Sequence, residues 1–182
     1  MTQGSLFTPA ACLSGAVFDG DPPDRYRYRL WRTWGYPFGD VDRRVLWVMT
    51  NPSTADGETD DRTIAKITRF TKKWGYGGLD VVNLFGLCAT DPRELKVAVK
   101  AKRDPIGRSN DEHLRSLVES AATRLIVCAW GAHGTLLARE QAAERLLANT
   151  RGLALHCLRR TKGGHPEHPL YLPENLTPIV WR

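Results

Sequence analysis

Four short apolar runs set the terms on which this chain can fold: Val45–Met49, Leu79–Phe85, Arg124–Trp130 and Leu153–Leu158. They are rich in aliphatic and aromatic residues and show little polar alternation. That is the pattern of strands buried on both faces. Between them lie segments with helical spacing. Ile64, Ile67, Phe70 and Trp74 form an apolar stripe over about Asp60–Trp74, which Gly75 stops. Ser109-Asn110-Asp111-Glu112 reads as a capping box ahead of Leu114, Leu117, Val118 and Ala121. A further helix is expected over Leu136–Asn149, closed by Gly152, and the middle of Thr90–Lys102 has helical potential. Strands alternating with helices predict a three-layer α/β/α fold with a mainly parallel sheet of about four or five strands. A last short strand is expected at Pro178–Trp181.

A chain of 182 residues with 42% hydrophobic residues can bury one core. Residues 24–182 are therefore expected to form a single α/β domain behind a loosely ordered leader, residues 1–23, ending in the turn Asp19-Gly20-Asp21-Pro22-Pro23. No internal repeat is visible. No run of about eighteen apolar residues offers a transmembrane helix. The first residues lack a basic region followed by an apolar one, so no signal peptide is expected. Cys12, Cys88, Cys128 and Cys157 form no CxxC pair, and the last three fall in or beside apolar runs. Buried free thiols, a reducing cytoplasm and no zinc site are the expectation. The net charge of +6 suits a polyanionic partner, although a solvated surface gives the same balance. Tyr26-Arg27-Tyr28-Arg29-Leu30-Trp31-Arg32 alternates with period two. It fits either an edge strand guarded by arginine or a functional basic face.

Polar groups collect where the strands end. The run Val45–Met49 leads to Asn51-Pro52, and proline holds its predecessor extended at the strand's carboxyl end. Ser53, Thr54, Asp56, Asp60 and Asp61 follow before the first helix. In open α/β sheets, ligands bind in the crevice beyond the strand ends. The same loop also fits a plain turn with a helix N-cap. The second strand ends at Asn83. The fourth leads into Arg159-Arg160-Thr161-Lys162-Gly163-Gly164-His165-Pro166-Glu167-His168-Pro169-Leu170-Tyr171-Leu172, with two His-Pro pairs. Prolines stiffen this loop and glycines permit close approach to a ligand. His165, His168 and a carboxylate suggest a zinc site only weakly, because no HExxH or Cys/His spacing accompanies them, and no metal is expected. No G-x-S-x-G elbow, Walker A loop or G-x-G-x-x-G motif is present. Trp130-Gly131-Ala132-His133-Gly134 is a strand-to-helix turn. On the first helix, Arg62, Lys66, Arg69 and Lys73 share the side opposite the apolar stripe, either as a solvated face or as a row for phosphates.

The ordered segments YRYRLWRTWG, NPSTAD with DDRT, VVNLFGL, DPIGRSND, CAWGAHG and TKGGHPEHPLYL resemble a family of bacterial and phage proteins known as a domain of unknown function, over about Arg25–Pro173. More remotely, Asn51-Pro52, Asn83, Trp130-Gly131 and His168-Pro169 (or His165-Pro166) with Leu170–Leu172 are similar in order to the uracil-DNA glycosylase superfamily. That resemblance implies an N-glycosidase that removes a base from DNA by water attack at the glycosidic carbon, with no metal or organic cofactor. It implies Asn51 as the group positioning water, with Asp56, Asp60 or Asp61 as carboxylate helpers. His168, or else His165, would stabilise the departing base. Asn83 would read the base edge, and Phe85 or Trp47 would stack on the base. Leu170, Tyr171 or Leu172 would fill the gap in the duplex, and Arg159, Arg160 and Lys162 would hold flanking phosphates. The implied partner is DNA, met by a monomer in the cytoplasm. Two departures bear on the substrate. Asn51 stands where the most active members carry aspartate, and no bulky aromatic follows Pro52, so the pocket would admit a larger or modified base. The Asn51–Asn83 separation is also short for that superfamily. The residues equally allow a nucleic-acid or nucleobase-binding module without chemistry, or an enzyme acting on free nucleotides or modified nucleosides.

Overall fold

A computed structural model describes residues 13–21, 25–35, 37–147 and 152–182. Its strands are β1 (Ser14–Asp19), β2 (Tyr26–Thr33), β3 (Arg44–Met49), β4 (Gly78–Asn83), β5 (Thr123–Cys128), β6 (Leu155–Cys157) and β7 (Ile179–Val180). Its helices are α1 (Arg62–Lys73), α2 (Arg93–Lys100), α3 (Asn110–Glu119) and α4 (Arg139–Leu147). All seven strands join one sheet in the order β1-β2-β4-β3-β5-β6-β7. The four apolar runs lie side by side as β4, β3, β5 and β6, and they pair in parallel. β1, β2 and β7 are added antiparallel.

The α/β class is therefore as expected, but the sheet is mixed and larger than expected. The extra strands carry weak local signals. Ser14–Asp19 falls within the segment expected as a loose leader, yet it pairs with β2 from Ser14↔Arg32 to Asp19↔Tyr26. Gly15 makes this pairing possible, because a Cβ there would lie 2.2 Å from the Trp31 ring. The earlier part of that leader, with Cys12, and the Pro22-Pro23 turn lie outside the described residues. β2 is not an edge strand: it sits between β1 and β4. Nor does it present a free basic face. Arg27 and Arg32 are buried, and Arg29 binds the buried Asp80 at 2.7 Å.

Period-two alternation sorts β3 between two cores. Val45, Trp47 and Met49 pack with Ile64, Ile67 and Phe70 of α1. Leu46 and Val48 pack with Leu95 of α2, Leu114 and Val118 of α3, and Ala143 of α4. Both faces of the parallel strands are thus covered by helices, as their continuous hydrophobicity requires. The capping box expected at α3 does not form. Ser109 makes no side-chain cap hydrogen bond. Asn110 turns inward instead, and its Nδ2 donates to the carbonyls of Asn83 (2.9 Å) and Leu84 (3.3 Å). The helix expected from Leu136 begins at Arg139, because Leu137 (φ 55°) and Ala138 (φ 53°) are left-handed and end a run of 3-10 turns over Gly131–Ala138. Its expected end at Asn149 lies outside the described residues. Cys88, Cys128 and Cys157 are free thiols.

Candidate active site

β3, β4 and β5 end at one rim of the sheet, and a cavity of about 550 Å³ opens there. That volume suits a small-molecule or nucleobase ligand. Met49, Thr50 and Asn51 enter it from the end of β3, Asn83 from β4, and Trp130 and Gly131 from beyond β5. Thr50 fixes two of these ends together, since its Oγ1 donates to the Trp130 carbonyl at 2.6 Å.

The Asn51–Asp61 loop forms the next wall. Asn51 Nδ2 donates to Pro52 O (2.9 Å) and Ala89 O (2.7 Å). Both amide hydrogens are thereby used, and the side chain can address a ligand only through Oδ1. Asp61 is the N-cap of α1: its Oδ1 accepts from Thr63 N (2.8 Å) and Ile64 N (2.9 Å). It also lines the cavity, together with Arg62 and Thr63. The arginines of β2 hold this loop from behind. Arg32 pairs with Asp60 at 2.8 Å and donates to Asp56 O at 2.9 Å. Arg27 Nη1 donates to Ala55 O at 2.5 Å.

The late loop closes the third side with His168, Leu170 and Tyr171. The structure places the two histidines differently. His168 lines the cavity, whereas His165 turns away to bind the buried Glu140, Nδ1 to Oε2, at 2.8 Å. Burial lowers the His168 pKa below the ordinary histidine value, an effect partly offset by the Asp61 carboxylate. The Leu170 N–H points at His168 Nδ1 (3.4 Å), so the neutral ring carries its proton on Nε2. His168 is thus a neutral hydrogen-bond donor at neutral pH.

The site accordingly brings together Asn51, Asn83, Asp61, His168, Arg62, Leu170 and Tyr171. Other expected residues are elsewhere. Trp47 is fully buried, stacked on Trp74 (centroids 5.7 Å), with Nε1 bonded to Thr71 Oγ1, so it cannot stack on a ligand. Phe85 and Leu172 are also buried in the cores rather than in the cavity wall. Asp56 uses Oδ1 to cap its own turn through Glu58 N and Thr59 N. Lys66 and Arg69 both bind Glu174, and Lys73 donates to its carbonyl, so three of the five cations on α1 anchor the C-terminal segment. Arg159 pairs with Glu167 at 2.7 Å, and Arg160 donates to the carbonyls of Val180 and Trp181. Lys162 is exposed and does not line the cavity.

Sequence reasoning missed Arg27, Thr50 and His133 as cavity residues. Arg27 had only the period-two pattern of β2 to mark it, and that pattern does not say which way the sheet turns it. Three buried donors of cavity-wall residues, Asn83 Nδ2, Arg27 Nε and Trp130 Nε1, have no hydrogen-bond partner among the described residues. Among the described residues, no cluster of three or more His, Cys, Asp or Glu side chains is arranged to hold a metal ion. No described helix is long and apolar enough to cross a membrane.

Comparison with curated proteins and with solved structures gave no match. A family model does match, over residues 27–170, a span that runs from the second residue of β2 to Leu170 and includes every cavity residue except Tyr171. The chain belongs to the family described as Protein of unknown function (DUF1643).

Proposed function

We propose that this protein is a DNA glycosylase-like N-glycosidase, acting in the cytoplasm in base excision on an uncommon or modified base. The observation that carries the reading is the convergence of Asn51, Asn83 and His168 on one cavity at the carboxyl ends of β3 and β4 and the late loop. Those residues stand far apart in the chain. Their order resembles the uracil-DNA glycosylase pattern, and the reading extends to that superfamily's three-layer arrangement.

Each group has a defined task under this reading. A base must leave the duplex stack to enter a closed pocket. Asn51 Oδ1 accepts a hydrogen bond from water and orients its oxygen toward the glycosidic carbon. As the C–N bond breaks, its electron pair passes to the base and the sugar becomes cationic; the water oxygen then bonds the glycosidic carbon and its proton passes to the departing base, leaving a neutral free base and an abasic sugar. The Asp61 carboxylate is the anion of the cavity wall that faces this charge. His168 Nε2–H donates to the base oxygen that gains negative charge. A preorganised donor of this kind lowers the barrier by roughly 3–4 kcal/mol. Asn83 offers Nδ2, a donor with no partner among the described residues, to the base edge. Arg62 and the 84%-exposed Tyr171 stand at the mouth, where flanking DNA would pass.

A second reading is favoured by one observation. The Asn51 amide is tied to Pro52 O and Ala89 O, a structural task sufficient to explain the residue without catalysis. On that reading the cavity recognises a nucleobase and cleaves nothing. Base release decides between them. DNA carrying uracil, hypoxanthine, alkylated or modified bases is incubated with the protein and scored for alkali-labile sites. Release that disappears in Asn51→Ala and His168→Ala supports the glycosylase. Salt-sensitive DNA binding without release supports the recognition module.

A further inference from the structure

We propose that the ligand of this cavity carries an oxyanion, a carboxylate or a phosphate, and that the Arg27 guanidinium is the group that receives it. Three arginines project from β2. Arg29 has Asp80 at 2.7 Å and Arg32 has Asp60 at 2.8 Å. Arg27 is the most buried of the three, at 2% exposure, and it lines the cavity. Yet no carboxylate lies within ion-pair distance of it among the described residues. Its Nη1 meets only the Ala55 carbonyl, and its Nε has no partner.

A guanidinium stays charged at any physiological pH, and an unpaired buried charge is unfavourable. Burial pulls the Arg27 pKa down, and the negative charge of Asp61 only partly opposes this. Asp61 is not a free counter-ion, because its Oδ1 already accepts two helix N–H groups. The rest of the wall is rich in donors as well. Asn83 Nδ2 is unpartnered, and His168 offers Nε2–H. A ligand satisfying this wall needs acceptors, and Arg27 calls for one that is charged. A planar fork pairs best with a carboxylate or phosphate. The oxyanion has two possible sources: an acidic substituent on the base, or the phosphate of a nucleotide. The inference rests on the cavity being a nucleobase site, but not on bond cleavage.

Calorimetric titration of the full chain tests it at constant ionic strength. The probes are uracil against 5-carboxyuracil, uridine against uridine 5′-monophosphate, and inorganic phosphate. We expect the charged member of one pair to bind at least about ten-fold tighter, with the preference falling below about two-fold in Arg27→Gln. The pair that shows the preference identifies the source of the oxyanion. Arg27→Lys keeps the charge without the fork and should retain part of the preference. Lys162→Gln removes an exposed cation outside the cavity and should leave it intact. If Arg27→Gln does not fold, the wild-type pairs and Arg27→Lys decide. Equal binding within both pairs overturns the inference while the nucleobase reading stands, and binding of no probe also overturns it. So does a preference that survives Arg27→Gln or vanishes in Lys162→Gln. Binding of phosphate that is lost in Arg27→Gln, with no base bound, supports the anion site and removes the nucleobase reading.

Discussion

Asp61 holds two roles that substitution can separate. Its Oδ1 caps α1 through two backbone N–H groups, at 2.8 and 2.9 Å, and its charge sits at the positive end of the helix and in the cavity wall. Asparagine caps as well as aspartate, so Asp61→Asn should lose only the charge–dipole attraction, about 0.3–1 kcal/mol. Asp61→Ala should lose that and the cap as well, a further ~1 kcal/mol. With urea slopes of about 1–3 kcal/mol per M, the two variants should differ in unfolding midpoint by roughly 0.3–1 M. Urea denaturation followed by circular dichroism gives the stability. Base release or ligand affinity, measured on the same preparations, gives the function. On the proposed mechanism, Asp61→Asn remains nearly as stable as wild type but loses turnover, because its carboxylate no longer faces the cationic sugar. Equal midpoints for the asparagine and alanine variants would refute the cap. An asparagine variant with full turnover would refute the electrostatic role and leave Asp61 a purely structural residue.

Other outcomes follow from the same structure. Trp47→Ala should destabilise by about 3–5 kcal/mol, as expected for a fully buried aromatic; a thermal melt unchanged by it would mean that Trp47 is not packed as described. Gly77→Ala should cost at least about 1–3 kcal/mol, because its Cβ would lie 2.2 Å from the Asp40 carbonyl oxygen and backbone must shift. Tyr171→Ala should change stability by less than about 0.5 kcal/mol, given its 84% exposure, while weakening DNA binding in a titration if the mouth of the cavity meets DNA. The lowered pKa of His168 gives a pH signature of definite sign. The unfolded chain takes up the His168 proton near its ordinary value of about 6.5, whereas the folded chain resists it until lower pH, so this residue's contribution to stability is level above about 6.5 and falls on acidification through that value. Unfolding midpoints measured across that range should show a shallower slope in His168→Gln; an identical slope would refute the assignment.

Much of the scaffold was legible in local pattern. The four apolar runs became the parallel strands β3–β6, and the Ile64-Ile67-Phe70 stripe became the buried face of α1. The reason is that hydrophobic continuity and 3.6-residue periodicity are local expressions of burial. The positions of Asn51 and Asn83 at strand ends were legible too, because Asn51-Pro52 and the end of an apolar run are themselves stop signals. Other features required the folded chain. Ser14–Asp19 becomes a strand only because β2 offers it a partner and Gly15 makes room for Trp31. Trp47 and Met49 are two residues apart and share a face, yet only the fold separates the first, sealed under α1, from the second, at the cavity wall. Asn110 reads as part of a helix cap, but the backbone of Asn83 and Leu84 lies within its reach, and the buried amide donates to their carbonyls. The two His-Pro pairs are nearly identical in sequence; Glu140, distant in the chain, claims His165 and leaves His168 to the cavity. The three arginines of β2 look equivalent as a period-two row. Tertiary structure gives two of them carboxylates and leaves the third, Arg27, buried without one among the described residues, because ion pairing is decided by which chain segments meet and not by neighbours in sequence.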